Sequence, residues 1–349
     1  MIECRETLWD GFLHQTFSQR RWSTYLRLGW RLGRAYLRLI GRYWRVDEHQ
    51  WVIVGYAGYL DVLLARLLKG RGRRLILVSF ISLYDTIVFD RGQLPAGSWK
   101  ARMVKSFERV GFRCADMVLV DTDAHGRYLA ELHGLPPEKF RRSFVGEDDA
   151  IFRPLPRPSP GPVFRVLFFG TYVPLHGVET VLAAAACLRD TPGLELLLIG
   201  NGQLYPRIRQ EAERLQLSRL RFIDQWMSPE RLREQVAQAD VCLGIFGQTA
   251  KAARVIPLKV FDALALGRPI ITRDSPAIRE LLEHEKNVLL CPAGDGAALA
   301  AAILRLQADP ALAQTIAAGG LACFQQHAAP AAVGRTLLTT LERSLERRA

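Results

Sequence analysis

From Gln50 to Cys291 the chain alternates short, continuous apolar runs with amphipathic helical stretches, and this rhythm limits it to one class of fold. Strand-like runs lie at 51–55 (WVIVG), 75–80 (LILVSF), 116–121 (DMVLVD), 164–170 (FRVLFFG), 194–200 (LELLLIG), 220–224 (LRFID), 240–246 (DVCLGIF), 268–272 (RPIIT) and 287–291 (NVLLC). A strand that is apolar at every position is buried on both faces. Alternation with helices then means parallel strands in an α/β sheet covered on both sides.

The series is broken once. FRPLPRPSPGPVF (152–164) holds five prolines, too many for a helix or a central strand. The division that follows is a first domain at 1–153, a linker at 154–162 and a second domain at 163–329. A last helix at 330–349 is expected to return towards the first domain. The first domain supplies only three clear strands, and MIECRETLW reads as the tail of a strand entering a helix. Its opening β-α unit is therefore expected to be missing.

With 349 residues, 49% of them apolar, the chain can fill two cores. Its net charge of +12 calls for an anionic partner. The six cysteines are far apart and mostly within apolar patterns, which favours reduced thiols and a cytoplasmic location over disulfides or zinc. No apolar run reaches the length of a membrane-spanning helix, and the amino terminus is too acidic and mixed for a signal peptide.

In open α/β sheets ligands sit beyond the carboxyl ends of the strands. Four such ends can be read in the second domain. They carry Gly170, Thr171 and His176; then Asn201 and Gly202; then Gln225 and Trp226; and last the stretch from Gly247 to Leu258 that leads into a helix. Small residues and backbone amides at the first two ends suit a phosphate. Lys251, Arg254 and Lys259 add three cations at the fourth, enough for a diphosphate. Asp262, one turn beyond Lys259, is placed to accept hydrogen bonds from a ribose diol, and Trp226 to stack on a base.

Four segments in order, FFGTYVPLHGVETVLAA, LELLLIGNG, LRFIDQW and IPLKVFDALALGRPIITRDSPAIRELL, resemble the retaining glycosyltransferases of family 4. The likeness covers about 164–345. VGYAGYLDVLLARLL, FISLYDTIVFDRG and ADMVLVDTDAH extend it, more loosely, towards a bacterial surface-glycan branch. The resemblance implies the GT-B architecture, in which two Rossmann-like, doubly wound domains face a cleft. It implies a nucleoside diphosphate sugar as co-substrate on the second domain, an acceptor on the first, and neither metal nor cofactor. In the family's pair of glutamates eight residues apart, the second, which holds the ribose, is here Asp262, one methylene shorter. The first is here Arg254, a reversal of charge. The cations that the family places in the first loop correspond to Thr171 and His176, so Lys251, Arg254 and Lys259 read as a relocated diphosphate clamp.

Asp85, after the second strand, is the candidate to position or deprotonate an acceptor hydroxyl; Asp61 and Asp121 are weaker ones. GNGQLY (200–205) has two glycines of a dinucleotide fingerprint, with Asp224 at the next strand end. Its third position is Tyr205, however, and it follows the second strand of its domain, so a dinucleotide is set aside. GEDDAIF (146–152) reads as an interdomain hinge before it reads as a metal site.

Between Asp10 and Asp47 there are eight arginines, no lysine and no acid. Arg27, Arg31, Arg34, Arg38, Arg42 and Arg45 keep a helical spacing, with Leu28, Leu32, Leu39 and Tyr43 on another face and Trp22, Trp30 and Trp44 along the segment. This is a basic amphipathic helix, expected to lay Arg27, Arg31, Arg34 and Arg38 against anionic lipid at the inner face of a membrane. The alternative for this helix is packing with a solvated cationic face. No nucleic-acid module is visible. The expected activity is sugar transfer to a glycan or lipid-linked hydroxyl with retention. A non-catalytic GT-B scaffold and a GT-B sugar-nucleotide epimerase are the alternatives.

Overall fold

The computed structural model describes residues 2–4, 22–56, 58–155, 161 and 163–346; for 22–28 and 345–346 it describes the backbone alone. Most of the opening MIECRETLW segment and most of the proline-rich stretch lie outside these residues, and residues 2–4 have no regular structure.

The first domain is a parallel sheet of β1 (Trp51–Val54), β2 (Arg74–Val78), β3 (Met117–Val120) and β4 (Phe140–Arg142), in sequential order. Between the strands run α2 (Tyr59–Leu68), α3 (Trp99–Cys114) and α4 (Asp123–His133). β4 lies outside the strand-like runs of the sequence. It is three residues long and reads Phe-Arg-Arg, and only Phe140 enters the core.

A sequential order makes every right-handed crossover fall on the same side of the sheet. One face, with Val54, Leu75, Leu77, Val118 and Val120, therefore packs on Tyr59 and Val62 of α2, Phe112 of α3 and Leu129 of α4. The opposite face, with Ile76, Met117 and Leu119, is met by Leu337 and Leu341 of α11 (Pro330–Glu346), the last helix of the chain. Arg74 of β2 also hydrogen-bonds Ser344 Oγ at 2.9 Å. Among the described residues the first sheet thus never reverses its strand order. It is one half of a doubly wound sheet, and a helix from the other end of the chain covers its second face.

The second sheet is complete. Its order is β10-β9-β8-β5-β6-β7, all parallel, from β5 (Phe164–Phe169), β6 (Leu194–Ile199), β7 (Leu220–Ile223), β8 (Val241–Leu243), β9 (Ile270–Arg273) and β10 (Leu289–Cys291). The order reverses between β5 and β8, which places a ligand crevice at their carboxyl ends. Helices α5 (Val178–Cys187), α6 (Tyr205–Arg214), α7 (Pro229–Gln238), α8 (Leu258–Ala265), α9 (Gly296–Ala308) and α10 (Pro310–His327) complete the domain.

The chain crosses between domains earlier than the prolines indicate. Phe144, Val145, Ile151, Phe152 and Leu155 already pack in the core of the second domain, so the crossing follows Arg142. A proline run marks where regular structure is impossible, whereas the crossing is fixed by which core receives the apolar side chains.

The basic segment forms α1 (Trp22–Tyr43), as its spacing predicts. Ala35 is buried, and Tyr36 donates its hydroxyl to Asp61 of α2 at 2.7 Å, so this side packs on the first domain. Arg31, Arg34, Arg38 and Arg42 face outward together with Trp30, Leu37 and, just beyond the helix, Trp44. The Arg27 side chain lies outside the described residues.

Candidate functional site

Two loops build the crevice at the strand-order reversal: Gly170–Gly177 after β5 and Gly244–Pro257 after β8. They are pressed together. Gly177 has φ +62°, and a Cβ on it would lie 2.3 Å from the nitrogen of Gly247. The amide of Phe246 donates to the carbonyl of His176 at 3.0 Å. The glycines of GNG have the same kind of cause. A Cβ on Gly202, at φ +157°, would lie 2.7 Å from the Tyr172 backbone nitrogen and oxygen, so this motif serves loop packing.

Two helices open at this crevice, and like α2 and α6 they start without a side-chain cap. Ser98, Thr122, Ser228, Asp295 and Asp309 each cap a helix elsewhere with a side-chain oxygen. α5 starts from Gly177 and α8 from Pro257, neither with a side-chain cap. Their first amides therefore retain hydrogen-bonding capacity and partial positive charge at the crevice.

Lys259 lies in the first turn of α8. It is 5% exposed, and its Nζ has no hydrogen-bond partner. The ammonium sits 3.8 Å from the centre of the Phe168 ring and against Gly170, where any side chain would strike it. Burial drives its pKa well below the usual lysine range, with Asp262 pulling the other way. An unpaired buried cation is costly, and an anion in the crevice would remove that cost. His176 adjoins it. Burial, and then the Lys259 charge, hold this imidazole well below its usual pKa, so it is neutral and its Nδ1 hydrogen-bonds the carbonyl of Thr171.

One turn past Lys259, Asp262 is 4% exposed, and its Oδ1 has no partner. Burial raises its pKa well above the carboxylate range, and a hydrogen bond with Glu147 raises it further. Glu147 comes from the crossing segment, in the GEDDAIF stretch read as a hinge.

Lys251 and Arg254 differ from the expected clamp. Lys251 donates to Thr86 Oγ1 at 2.7 Å and lies 3.7 Å from Asp90. Arg254 is 2.9 Å from Asp85, and its guanidinium stacks 3.5 Å from the centre of the Tyr128 ring. Both cations are neutralised by acids of the first domain, so of the three only Lys259 has neither an ion pair nor a hydrogen-bond partner. Asp85 changes with them. It is 1% exposed, accepts from Arg254 and from Tyr128 at 3.0 Å, and so is enclosed where an acceptor base would need to be open. Asp121 is held by His125 at 2.6 Å, and Asp61 by Tyr36. Trp226 is 85% exposed beyond β7, the edge strand two places from β5 and so roughly 10 Å to the side.

Further contacts join the two domains. Glu280 accepts from the amides of Asp123 and Ala124 at 2.7 and 2.8 Å, capping α4 from across the cleft. Arg142 bridges Asp123 and Glu280 at 2.9 and 3.2 Å. No local sequence signal marks these pairs.

Residues 163–309 match the family model described as glycosyl transferases group 1. Among curated proteins, the amylovoran biosynthesis glycosyltransferase AmsK of Erwinia amylovora is 28% identical over half of this chain and 40% of its own length. The putative colanic acid biosynthesis glycosyltransferase WcaL of Escherichia coli is 26% identical over 57% of this chain and 50% of its own length. The chain thus matches half or less of these two relatives. Among solved structures, a sucrose-phosphate synthase from Thermosynechococcus elongatus superimposes with a TM-score of 0.70 at 21% identity, covering 95% of this chain and 81% of that one. Anabaena HepE, solved with UDP, superimposes with a TM-score of 0.66 at 17% identity, covering 88% and 83%. The two facing parallel sheets are the GT-B fold.

Proposed function

We propose that the protein is a glycosyltransferase that takes a sugar from a nucleoside diphosphate donor to a hydroxyl of a glycan or lipid-linked acceptor. The observation that carries this reading is Lys259, a buried ammonium without a partner, at the strand-order reversal between two uncapped helix starts. That set of groups favours a diphosphate. The solved structures of HepE with UDP and with UDP-glucose show nucleotides held by a chain of this fold, and AmsK and WcaL are named for surface-polysaccharide synthesis.

In this reading the donor lies along the crevice, with its diphosphate at Lys259, Gly170, Thr171 and the α8 amides, and its ribose at Asp262. As the glycosyl bond breaks, negative charge grows on the diphosphate. Lys259 and the helix amides stabilise it without rearranging, which lowers the barrier. Charge stabilisation by the chain itself makes the chemistry independent of a metal. Retention, as the family resemblance implies, would have the leaving phosphate assist removal of the acceptor proton. Neutral His176 adds a hydrogen-bonding group near the phosphates without adding charge.

The outward face of α1 supports work at a membrane. Arginines beside Trp30, Leu37 and Trp44 form an interfacial face, with cations for headgroups and large apolar rings for the acyl boundary. No described helix is long and apolar enough to cross a membrane. The protein would then sit at the inner face and meet lipid-linked acceptors there.

Incubation with UDP, GDP and ADP sugars tests the activity. Transfer, or slow hydrolysis of one donor, is expected. Interconversion of sugars would make the protein an epimerase, and inertness with every donor would make it a scaffold.

A further inference from the structure

The cations of the first domain do not end with α1. Helices α1, α2 and α3 lie on one side of the first sheet, α2 and α3 against its core and α1 on α2. Together they hold eleven basic residues and two acids, and so carry +9 of the net charge of +12. Both acids are already engaged. Asp61 accepts from Tyr36. Glu108 is fully buried, accepts from Tyr59 and Ser82 at 2.9 Å and lies 3.0 Å from His133. The outer surface of this helical layer is therefore cationic.

α3 repeats the make-up of α1. Ala101, Glu108 and Phe112 turn inward, so Trp99, Met103 and Val110 line the opposite side of the helix. Trp99 and Met103 are each more than half exposed, with Lys100 and Arg102 beside them. A helix whose outer side met only water would carry polar residues there. The apolar line continues onto the π-helical turn Asp85–Asp90 that follows β2. Tyr84 and Val88 pack with Ala101 of α3, and Phe89, its ring 5.7 Å from that of Tyr84 and edge-on to it, is more than half exposed. The same turn sends Thr86 and Asp90 to Lys251, and Asp85 to Arg254, across the cleft. Phe89, Trp99 and Met103 thus form a patch on the first domain at the edge of the cleft.

We infer that this patch is a second membrane contact, set at the mouth of the cleft. Lys100 and Arg102 meet anionic headgroups, and Phe89, Trp99 and Met103 enter the acyl boundary. The cationic surface selects an anionic partner, and an apolar line of this length favours a bilayer over a nucleic acid. The inference rests on the membrane reading of α1 given above and adds which side of the molecule faces the lipid. One helix on a surface leaves the protein able to roll about the helix axis, whereas a second contact fixes its orientation. A lipid-linked acceptor would then enter the cleft past Phe89 and Trp99.

Met103 is a native reporter of this contact, because peroxide converts an exposed methionine to its sulfoxide. The full chain is treated with peroxide alone, with phosphatidylglycerol-containing vesicles and with pure phosphatidylcholine vesicles, and each methionine is read by mass spectrometry. Oxidation of Met103 is expected to slow with the anionic vesicles only, and that of Met227 in the second domain to stay unchanged. Each cation near an anionic surface contributes about fivefold in affinity at low salt, so Lys100→Gln with Arg102→Gln should weaken sedimentation with these vesicles by about tenfold or more. Trp99→Ser should weaken it too, and both variants should keep the wild-type melting temperature and UDP affinity. If wild type sediments with anionic vesicles while Met103 is oxidised as fast as without them, the second contact falls and the α1 reading stands. If Met103 is protected while the variant with Arg31, Arg34 and Arg38 changed to Gln sediments like wild type, the α1 reading falls and the patch remains. No sedimentation of wild type would overturn both. Protection of Met103 by DNA or RNA in place of vesicles, or equal protection by neutral vesicles, would also overturn the inference. The oxidation readout uses the wild-type chain, so a variant that fails to fold does not decide the outcome.

Discussion

Arg254 of the second domain lies 2.9 Å from Asp85 of the first, with its guanidinium over the ring of Tyr128, and Tyr128 in turn donates to Asp85. This cluster, with Lys251 on Thr86 and Glu280 capping α4, ties the two domains across the cleft. It places a cation where the family resemblance leads one to expect an acid, and gives that cation an acid from the other domain.

The losses from breaking the tie on either side should not add. Asp85 is 1% exposed, so Arg254→Ala leaves a buried carboxylate without its cation. Losing one partner of a buried pair costs about 3–5 kcal/mol. Urea unfolding should show a loss near that size for Arg254→Ala and for Asp85→Ala. The double variant Asp85→Ala with Arg254→Ala should lose less than the sum of the two single losses. Independent, additive effects in that cycle would mean the pair does not join the domains.

Lys259→Met should weaken UDP far more than uridine. A charge-assisted contact to phosphate contributes roughly 1.5–3 kcal/mol, or about tenfold and upwards in affinity. The same change removes an unpaired buried cation, so the ligand-free protein should melt at a higher temperature. A fall in melting temperature, or an equal loss for nucleoside and nucleotide, would remove Lys259 from the phosphate site.

The same residue sets a pH dependence. Burial holds the Lys259 pKa well below the ordinary lysine value. Between its native pKa and the ordinary value the unfolded chain binds the extra proton, so stability rises with pH across that window. Diphosphate affinity should run the opposite way, falling as Lys259 loses its proton. Parallel titrations of wild type and Lys259→Met should show both slopes in the first and neither in the second. Slopes that survive in Lys259→Met would assign them to another group.

The outward face of α1 should bind anionic vesicles and not neutral ones. Each basic residue near an anionic surface contributes about 1 kcal/mol, less at high salt. Replacing Arg31, Arg34 and Arg38 with Gln should remove most sedimentation with anionic vesicles and leave UDP affinity unchanged. Vesicle binding that persists in the triple variant, or that is absent in wild type, would leave the helix as one packed on its domain with a solvated cationic face. A steep salt-dependent shift with any DNA or RNA would identify a different anion.

The sequence by itself determined the elements and the end of the sheet where chemistry can occur. Within FRVLFF and LELLLI the consecutive apolar residues VLFF and LLLI read as strands buried on both faces. The amphipathic spacing of α1 was equally local, with Leu32, Ala35, Leu39 and Tyr43 turned inward. β4 escaped because three residues, two of them arginines, carry no periodicity. Tertiary structure decided which charges meet. Arg254 and Asp85 are 169 residues apart, and nothing in the neighbourhood of either shows the other. The docking of the domains turned two of three converging cations into ties and left Lys259 as the one without an ion pair. Periodicity is written along the chain and can be read there. The partner of a buried charge depends on which surfaces come together once both cores have formed.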